Sequence, residues 1–137
     1  MSGSIVDTIL EANALLIGQG KLETIEQYFS PDYLVHFTDG EVRGGPSVVL
    51  KVLQAIHKAF SSIHVEVEIL VADQDRVAWQ RTMTGVQTGA FKGFPASDRE
   101  ITWRDLVVSR FHEGLIEEEW VSTDLAERLL LAKKSRH

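Results

Sequence analysis

The chain contains no cysteine. That removes disulfides, thiolate-ligated zinc, iron–sulfur clusters and any thiol nucleophile together, and leaves the redox compartment open. Positive charge is also in deficit: 20 acidic residues against 14 basic ones give a formal net charge of −6. No broad cationic face can then neutralise phosphates, so nucleic acid and anionic membranes are poor partners. No apolar run approaches the roughly 20 residues that span a bilayer, and no basic segment followed by a long apolar one opens the chain. A soluble, cytoplasmic protein is the expectation. There is no internal repeat, no HExxH, no GxSxG and no P-loop, and no two histidines stand at ligand spacing on one element. Gly85-Val86-Gln87-Thr88-Gly89 follows an antiparallel strand and precedes no helix, so it is not a dinucleotide fingerprint. Neither a metal nor a cofactor is expected.

What is present suits one domain over residues 1–137, with 44% hydrophobic and 25% charged residues, enough to bury a core. Ile5, Ile9, Ala12 and Leu16 recur at helical spacing and predict an amphipathic helix from Ser4 to Gly20. Leu22, Ile25 and Phe29 mark a shorter helix, ended at Ser30-Pro31 because proline disfavours helical geometry in its predecessor. Tyr33 to Thr38 reads as a strand and Asp39-Gly40 as a turn. Gly44-Gly45-Pro46 opens a third helix that carries Val49, Leu53, Ile56 and Phe60 on one face. From Ile63 the apolar period becomes two, which signals strands. A hairpin tip at Gln74-Asp75 places Glu68 opposite Arg81 and Leu70 opposite Trp79. A second hairpin joins Ile101–Phe111 to Leu115–Asp124 around Glu113-Gly114, and a short closing helix with a basic tail follows. His57, His64, His112 and His137 are expected at the surface. Helices on one side of such a sheet predict an α+β fold: a cone-shaped, curved antiparallel sheet wrapped around the N-terminal helices, with a pocket between the two layers.

In the second hairpin, pairing across the turn puts Asp124 opposite Trp103, Trp120 opposite Val107 and Glu118 opposite Ser109. One face then carries Ile116, Glu118, Trp120, Ser122 and Asp124 together with Trp103, Asp105, Val107, Ser109 and Phe111. The other face, with Glu117, Glu119, Arg104 and Arg110, reads as a solvated or interface surface. A carboxylate walled by two indoles is desolvated, which raises its pKa and makes Asp124 a candidate acid/base. Asp124-Leu125-Ala126-Glu127 is equally close to a capping box, whose backbone bonds would lower that pKa. Glu118 reads either as a strand carboxylate paired with a buried partner or as part of the site. His36, on the first strand, reads either as a satisfied core or rim residue or as a catalyst. The stretch from Gly85 to Asp98 holds three glycines and Pro95 around Phe91 and Phe94. It is too irregular for a strand and too apolar for a solvated loop, so it is expected to form a flap, with Phe91 toward the core and Phe94 at the pocket mouth.

The run Gly85-x-x-x-Gly89-x-Phe91-x-Gly93-Phe94-Pro95-Ala96, followed by Arg110-Phe111-x-x-Gly114-x-Ile116-x-Glu118-x-Trp120-x-x-x-Asp124-Leu125, resembles the SnoaL-like polyketide cyclases of the nuclear transport factor 2-like superfamily. The likeness covers about Asp75 to Leu130, with His36 and Gly44-Gly45 fitting more loosely. The chain carries Gln87 in place of the family's usual histidine, Gln80 in place of a common arginine, and Ser97-Asp98 in place of Thr-Gly. The resemblance implies a cone-shaped α+β barrel, a homodimer through the sheet, and ring closure by intramolecular aldol chemistry without metal or cofactor. It also implies a base at Asp124, His36 beside the substrate carbonyls, and apolar walls from Trp103, Trp120 and Phe94.

The resulting expectation is a lyase- or isomerase-type enzyme acting on a hydrophobic polycarbonyl small molecule. Asp124 and His36 are its catalytic candidates, and Trp103, Trp120, Phe94, Phe91 and Glu118 its substrate-binding candidates. One alternative is a noncatalytic protein that binds a hydrophobic ligand and uses Asp124 only as a helix cap. Another is an enzyme that activates water for hydrolysis in the same pocket.

Overall fold

The structure, a computed structural model, describes residues 4–134; His137 and the end of the basic tail lie outside them. Helix α1, Ile5–Ala12, opens on a capping box in which the Ser4 hydroxyl oxygen accepts the Asp7 N–H and the Asp7 carboxylate accepts the Ser4 N–H. Its apolar stripe continues through Leu16 and Ile17, although the helix widens into a π-helix over Asn13–Gly18. At the start of that wider stretch the Asn13 amide donates back to the Ile9 carbonyl at 2.9 Å. A 3-10 helix, Leu22–Gln27, stands where the second helix was expected, and Phe29 belongs to the next strand instead.

Strand β1 spans Phe29–Phe37 and β2 Gly40–Arg43, a hairpin whose second arm was not expected. Helix α2, Pro46–Ala59, begins with proline in its first turn. Just before it, Gly45 has φ +67° and would set a Cβ 2.6 Å from the Pro31 carbonyl oxygen, so only glycine fits there. Strands β3 (Phe60–Ala72), β4 (Arg76–Gln87), β5 (Glu100–His112) and β6 (Leu115–Thr123) form two hairpins, and α3, Leu125–Lys134, closes the described chain. The six strands lie in the order β2-β1-β6-β5-β4-β3.

The sheet is mixed rather than antiparallel throughout, because β1 runs parallel to β6. A hairpin forces antiparallel pairing, but these two strands are separated by most of the chain and meet through a crossover, so no turn fixes their direction. Their pairing skips from Phe29 to Leu34, around Pro31, which has no N–H to give to a ladder.

Both hairpins depart from the expected register, and by the same device. The first turns where expected, with Ala72 paired to Val77 and Val71 to Ala78, but a bulge at Leu70 then sets Ile69 opposite Trp79, Glu68 opposite Gln80 and Val67 opposite Arg81. Glu68 therefore does not face Arg81, nor Leu70 Trp79. In the second, Phe111 pairs with Ile116, after which a bulge at Glu117 sets Arg110 opposite Glu118, Ser109 opposite Glu119 and Val108 opposite Trp120. Bulges sharpen strand twist and bend the sheet around the helices. The helices cover its concave side, where Ile9, Leu16, Trp79, Met83, Trp103 and Val107 form a closed core. Among the described residues no helix is long and apolar enough to cross a membrane.

Candidate functional site

The bulge at Glu117 decides which side chains face the core. On β5 the helix-facing set is Trp103, Asp105, Val107, Ser109 and Phe111, as the alternation predicts. On β6, past the bulge, Glu119 turns inward and Glu118 and Trp120 turn outward, opposite to expectation. Trp103 is buried beneath Phe60, with ring centroids 4.7 Å apart, while Trp120 lies on the outer face. The two indoles therefore do not wall a common chamber.

Glu119, read from the sequence as a surface carboxylate, is the inward acid, only 7% exposed. Its Oε1 accepts the Tyr33 hydroxyl at 2.6 Å, and its Oε2 accepts the Ser109 hydroxyl at 2.5 Å. Ser109 in turn accepts the Trp79 indole N–H at 3.0 Å. Burial raises the Glu119 pKa, and this outweighs the bonds from Ser109 and Tyr33 and the field of Arg81, all of which favour the anion. The Tyr33 phenol is pushed well above its usual value, first by burial and then by the Glu119 charge. Beside them, the Arg81 Nε and Nη2 donate to Asp105 Oδ2 at 2.9 and 2.7 Å, and Nη1 donates to the Asn13 side-chain oxygen at 3.0 Å. The guanidinium lies over Trp79, 5.2 Å from its ring centroid. β1, β4, β5, β6 and the π-helical segment thus meet in one polar cluster inside an otherwise apolar layer. The sequence reading placed Asp105 and Ser109 on the correct face and missed Glu119, Tyr33, Arg81, Trp79 and Asn13. One signal was available: apolar Ile116 and Val121 sit at opposite parity in one strand, which an unbroken alternation cannot bury on the same side.

His36, Glu118 and Trp120 do come together, on the outer face. The His36 ring stacks on Trp120 at 5.1 Å with 9° between planes, and its Nε2 lies 2.7 Å from Glu118 Oε2. Arg110 donates to the other Glu118 oxygen at 3.1 Å, and the His36 bond first and that arginine next hold the Glu118 pKa below its ordinary value against burial. Arg76 reaches Trp120 from β4, 5.6 Å from the ring centroid. Asp124 stands apart, between β6 and α3. Its Oδ1 accepts the Arg104 backbone N–H at 2.8 Å, its Oδ2 accepts the Arg128 Nε–H at 3.1 Å, and its own N–H returns to the Arg104 carbonyl. Its neighbour across the strands is therefore Arg104, not Trp103.

The stretch expected as a flap is strand to Gln87 and loop from Thr88 to Arg99. The loop is pinned rather than free: the Thr88 and Gly89 N–H groups both donate to the Ala59 carbonyl, and a Cβ on Gly89 would lie 2.8 Å from the Lys58 carbonyl oxygen. Phe91 and Phe94 exchange backbone bonds across a turn at Lys92-Gly93. Phe91 packs toward Phe60, at 6.1 Å, and Phe94 borders a cavity of about 20 Å³ against α3. A larger open cleft of about 200 Å³ is lined by Ile17, Gly18, His57, Phe60, Ser62 and Ile63 among others. Neither hollow is bordered by Asp124 or Glu119.

The fold is shared with a protein of Acidithiobacillus ferrooxidans provisionally named a polyketide cyclase, 18% identical, covering 98% of this chain and 97% of that one with a TM-score of 0.84. IdmH of Streptomyces antibioticus, also provisionally named a polyketide cyclase, is 25% identical over 96% of this chain and 99% of its own, with a TM-score of 0.78. AclR of Streptomyces galilaeus, provisionally named a hydroxylase, is 25% identical over 96% and 98%, with a TM-score of 0.80. No curated relative matches the chain. Residues 7–130 match the family model of the SnoaL-like polyketide cyclases, and the chain belongs to that family.

Proposed function

We propose that this chain is a cofactor-independent acid/base enzyme that closes a ring in a small apolar polycarbonyl compound by intramolecular aldol chemistry, with Glu119 as the group that takes and returns the proton. One observation carries the reading: Glu119 is an enclosed carboxyl with a raised pKa, held on both oxygens by Tyr33 and Ser109. A carboxylate short of water is a stronger base than one in solution, and a carbon flanked by carbonyls is acidic enough to yield to it. Glu119 removes that proton, the resulting enolate attacks the second carbonyl carbon, and the new alkoxide takes a proton back from Glu119. Tyr33, bonded to the same carboxyl, steadies it in both states.

The way in is the cleft floored by Phe60. It borders the π-helical segment at Ile17 and Gly18, and from Ile63 the inner face of β3 leads through Val65 to Val67, which pairs with Arg81. The same reading has the chain pair with a second copy across the outer sheet face, where Leu106 is 50% exposed.

A second reading keeps the roles expected from the sequence, with His36 and Asp124 as the proton-handling groups. It is favoured by the 2.7 Å contact between His36 and Glu118, a histidine already oriented by a carboxylate. The pH dependence separates the two. Conversion of a linear triketone that contains a 1,3-dicarbonyl unit to its cyclic β-hydroxy ketone should rise with pH through a midpoint above the ordinary glutamate range. A rise that survives Glu119→Gln and is lost in His36→Gln favours the second reading, and no rate above buffer contradicts both.

A further inference from the structure

We propose that Arg81 is the binding group for the enolate oxygen of the substrate, and that Asn13 is a placeholder which gives up this position when the enolate forms. The proposal rests on the reading that Glu119 is the base, and it adds which group of this chain holds the enolate oxygen.

Three features of the guanidinium lead there. Asp105 takes two of its N–H groups on a single oxygen, Oδ2, and Asn13 takes a third. A guanidinium has five N–H donors, so among the described residues Arg81 has bonding capacity left. Its stem rises from β4 on the helix-facing side and its head lies over Trp79, so the charge stands in a poorly solvated place where it acts strongly. It also acts electrostatically on both Glu119 and Tyr33. Charge that leaves Glu119 when it accepts a proton, and appears on a ligand oxygen, therefore stays within the field of the same cation. The total charge of the cluster does not change in the step: the carboxylate becomes neutral as the dicarbonyl becomes an enolate. A fixed cation beside both positions stabilises the second without reorganising.

Asn13 marks where that oxygen would sit. Its side-chain carbonyl is a neutral acceptor at 3.0 Å from Nη1, and an enolate oxygen in the same place makes a charge-assisted, stronger bond. The residue opens the π-helical segment, a form that rarely persists in proteins and concentrates at functional sites. The same segment lines the open cleft. The segment that sets Asn13 on Arg81 therefore also borders the cleft, at Ile17 and Gly18.

The test uses acetylacetone, whose enolate absorbs distinctly in the ultraviolet, titrated with pH in the presence of the full-length protein. With the wild-type chain the bound diketone should ionise at lower pH than free diketone. Asn13→Ala, which removes the competing acceptor, should tighten enolate binding by about fivefold, the worth of one net hydrogen bond. Arg81→Lys, which keeps the charge beside Asp105 and loses the planar fork, should weaken it by a similar factor. Arg81→Gln should abolish the shift, with a thermal melt reporting whether the variant is folded. Enolate binding that is unaltered in both Asn13→Ala and Arg81→Lys overturns the proposal, as does a wild-type chain that leaves the diketone's ionisation unchanged. Glu119→Gln should still bind the enolate, so failure of the base assignment would appear in turnover and failure of this proposal in the spectrum.

Discussion

Glu119→Gln is expected to slow ring closure by about 10²-fold or more, the usual contribution of a positioned general acid/base. Glutamine keeps the shape and can still accept the Tyr33 hydroxyl, so the loss should fall on kcat and leave the fold intact. Stability gives a second readout with a fixed sign. Burial raises the Glu119 pKa, so the folded chain holds this proton to higher pH than the unfolded chain does. The stability linked to it is complete below the unfolded pKa and is lost as pH rises through the folded one. The glutamine variant has no such loss, so its Tm should fall less than that of the wild type as pH rises from the ordinary glutamate range through the raised Glu119 value. Asp124→Asn should leave turnover within a few-fold; a collapse of turnover in that variant, with Glu119→Gln active, would transfer the proton role to Asp124.

Trp103→Ala is expected to destabilise the fold by about 3–5 kcal/mol, the range for deleting a large buried aromatic. Trp103 is 1% exposed and packs on Phe60, and its apolar neighbours Ile101 and Met83 are fixed on β5 and β4 and cannot close the gap without moving the sheet. Trp120→Ala should cost only about 1–2 kcal/mol, because that indole is half-buried on the outer face and loses a stacked histidine and a cation contact rather than core packing. Chemical denaturation of the two variants checks both values. Equal losses would contradict the placement of the two tryptophans on opposite faces.

That placement also shows where sequence reasoning works and where it stops. Helical spacing located α1 and the buried stripe that runs on into the π-helical segment, because Ile9, Ala12 and Leu16 follow from local periodicity alone. Alternation assigned β5 correctly for the same reason. On β6 a single extra residue at Glu117 inverted every later side chain, sending Glu119 to the core and Glu118 and Trp120 to the surface. A one-residue slip does this to any strand. Three successive glutamates, 117 to 119, hide the slip, since all three look equally suited to solvent. The partners of Glu119 are no more legible: Tyr33 is 86 residues away, on a strand whose parallel pairing with β6 no turn predicts. The family motifs located the fold because glycines such as Gly89 are fixed by backbone clearance. Most of the polar cluster is assembled from positions outside those motifs, and Glu119 falls on an unspecified position within one.

The most direct test is a carbon-13 NMR titration of the Glu119 side-chain carboxyl, assigned by comparison with Glu119→Gln. The account predicts a midpoint above that of an ordinary glutamate, with Tyr33→Phe leaving Glu119 still raised because burial is the principal cause. A midpoint at or below the ordinary glutamate value would mean that the bonds from Tyr33 and Ser109 and the field of Arg81 outweigh burial, leaving a weak base, and would contradict the assignment of Glu119 as the group that takes the proton.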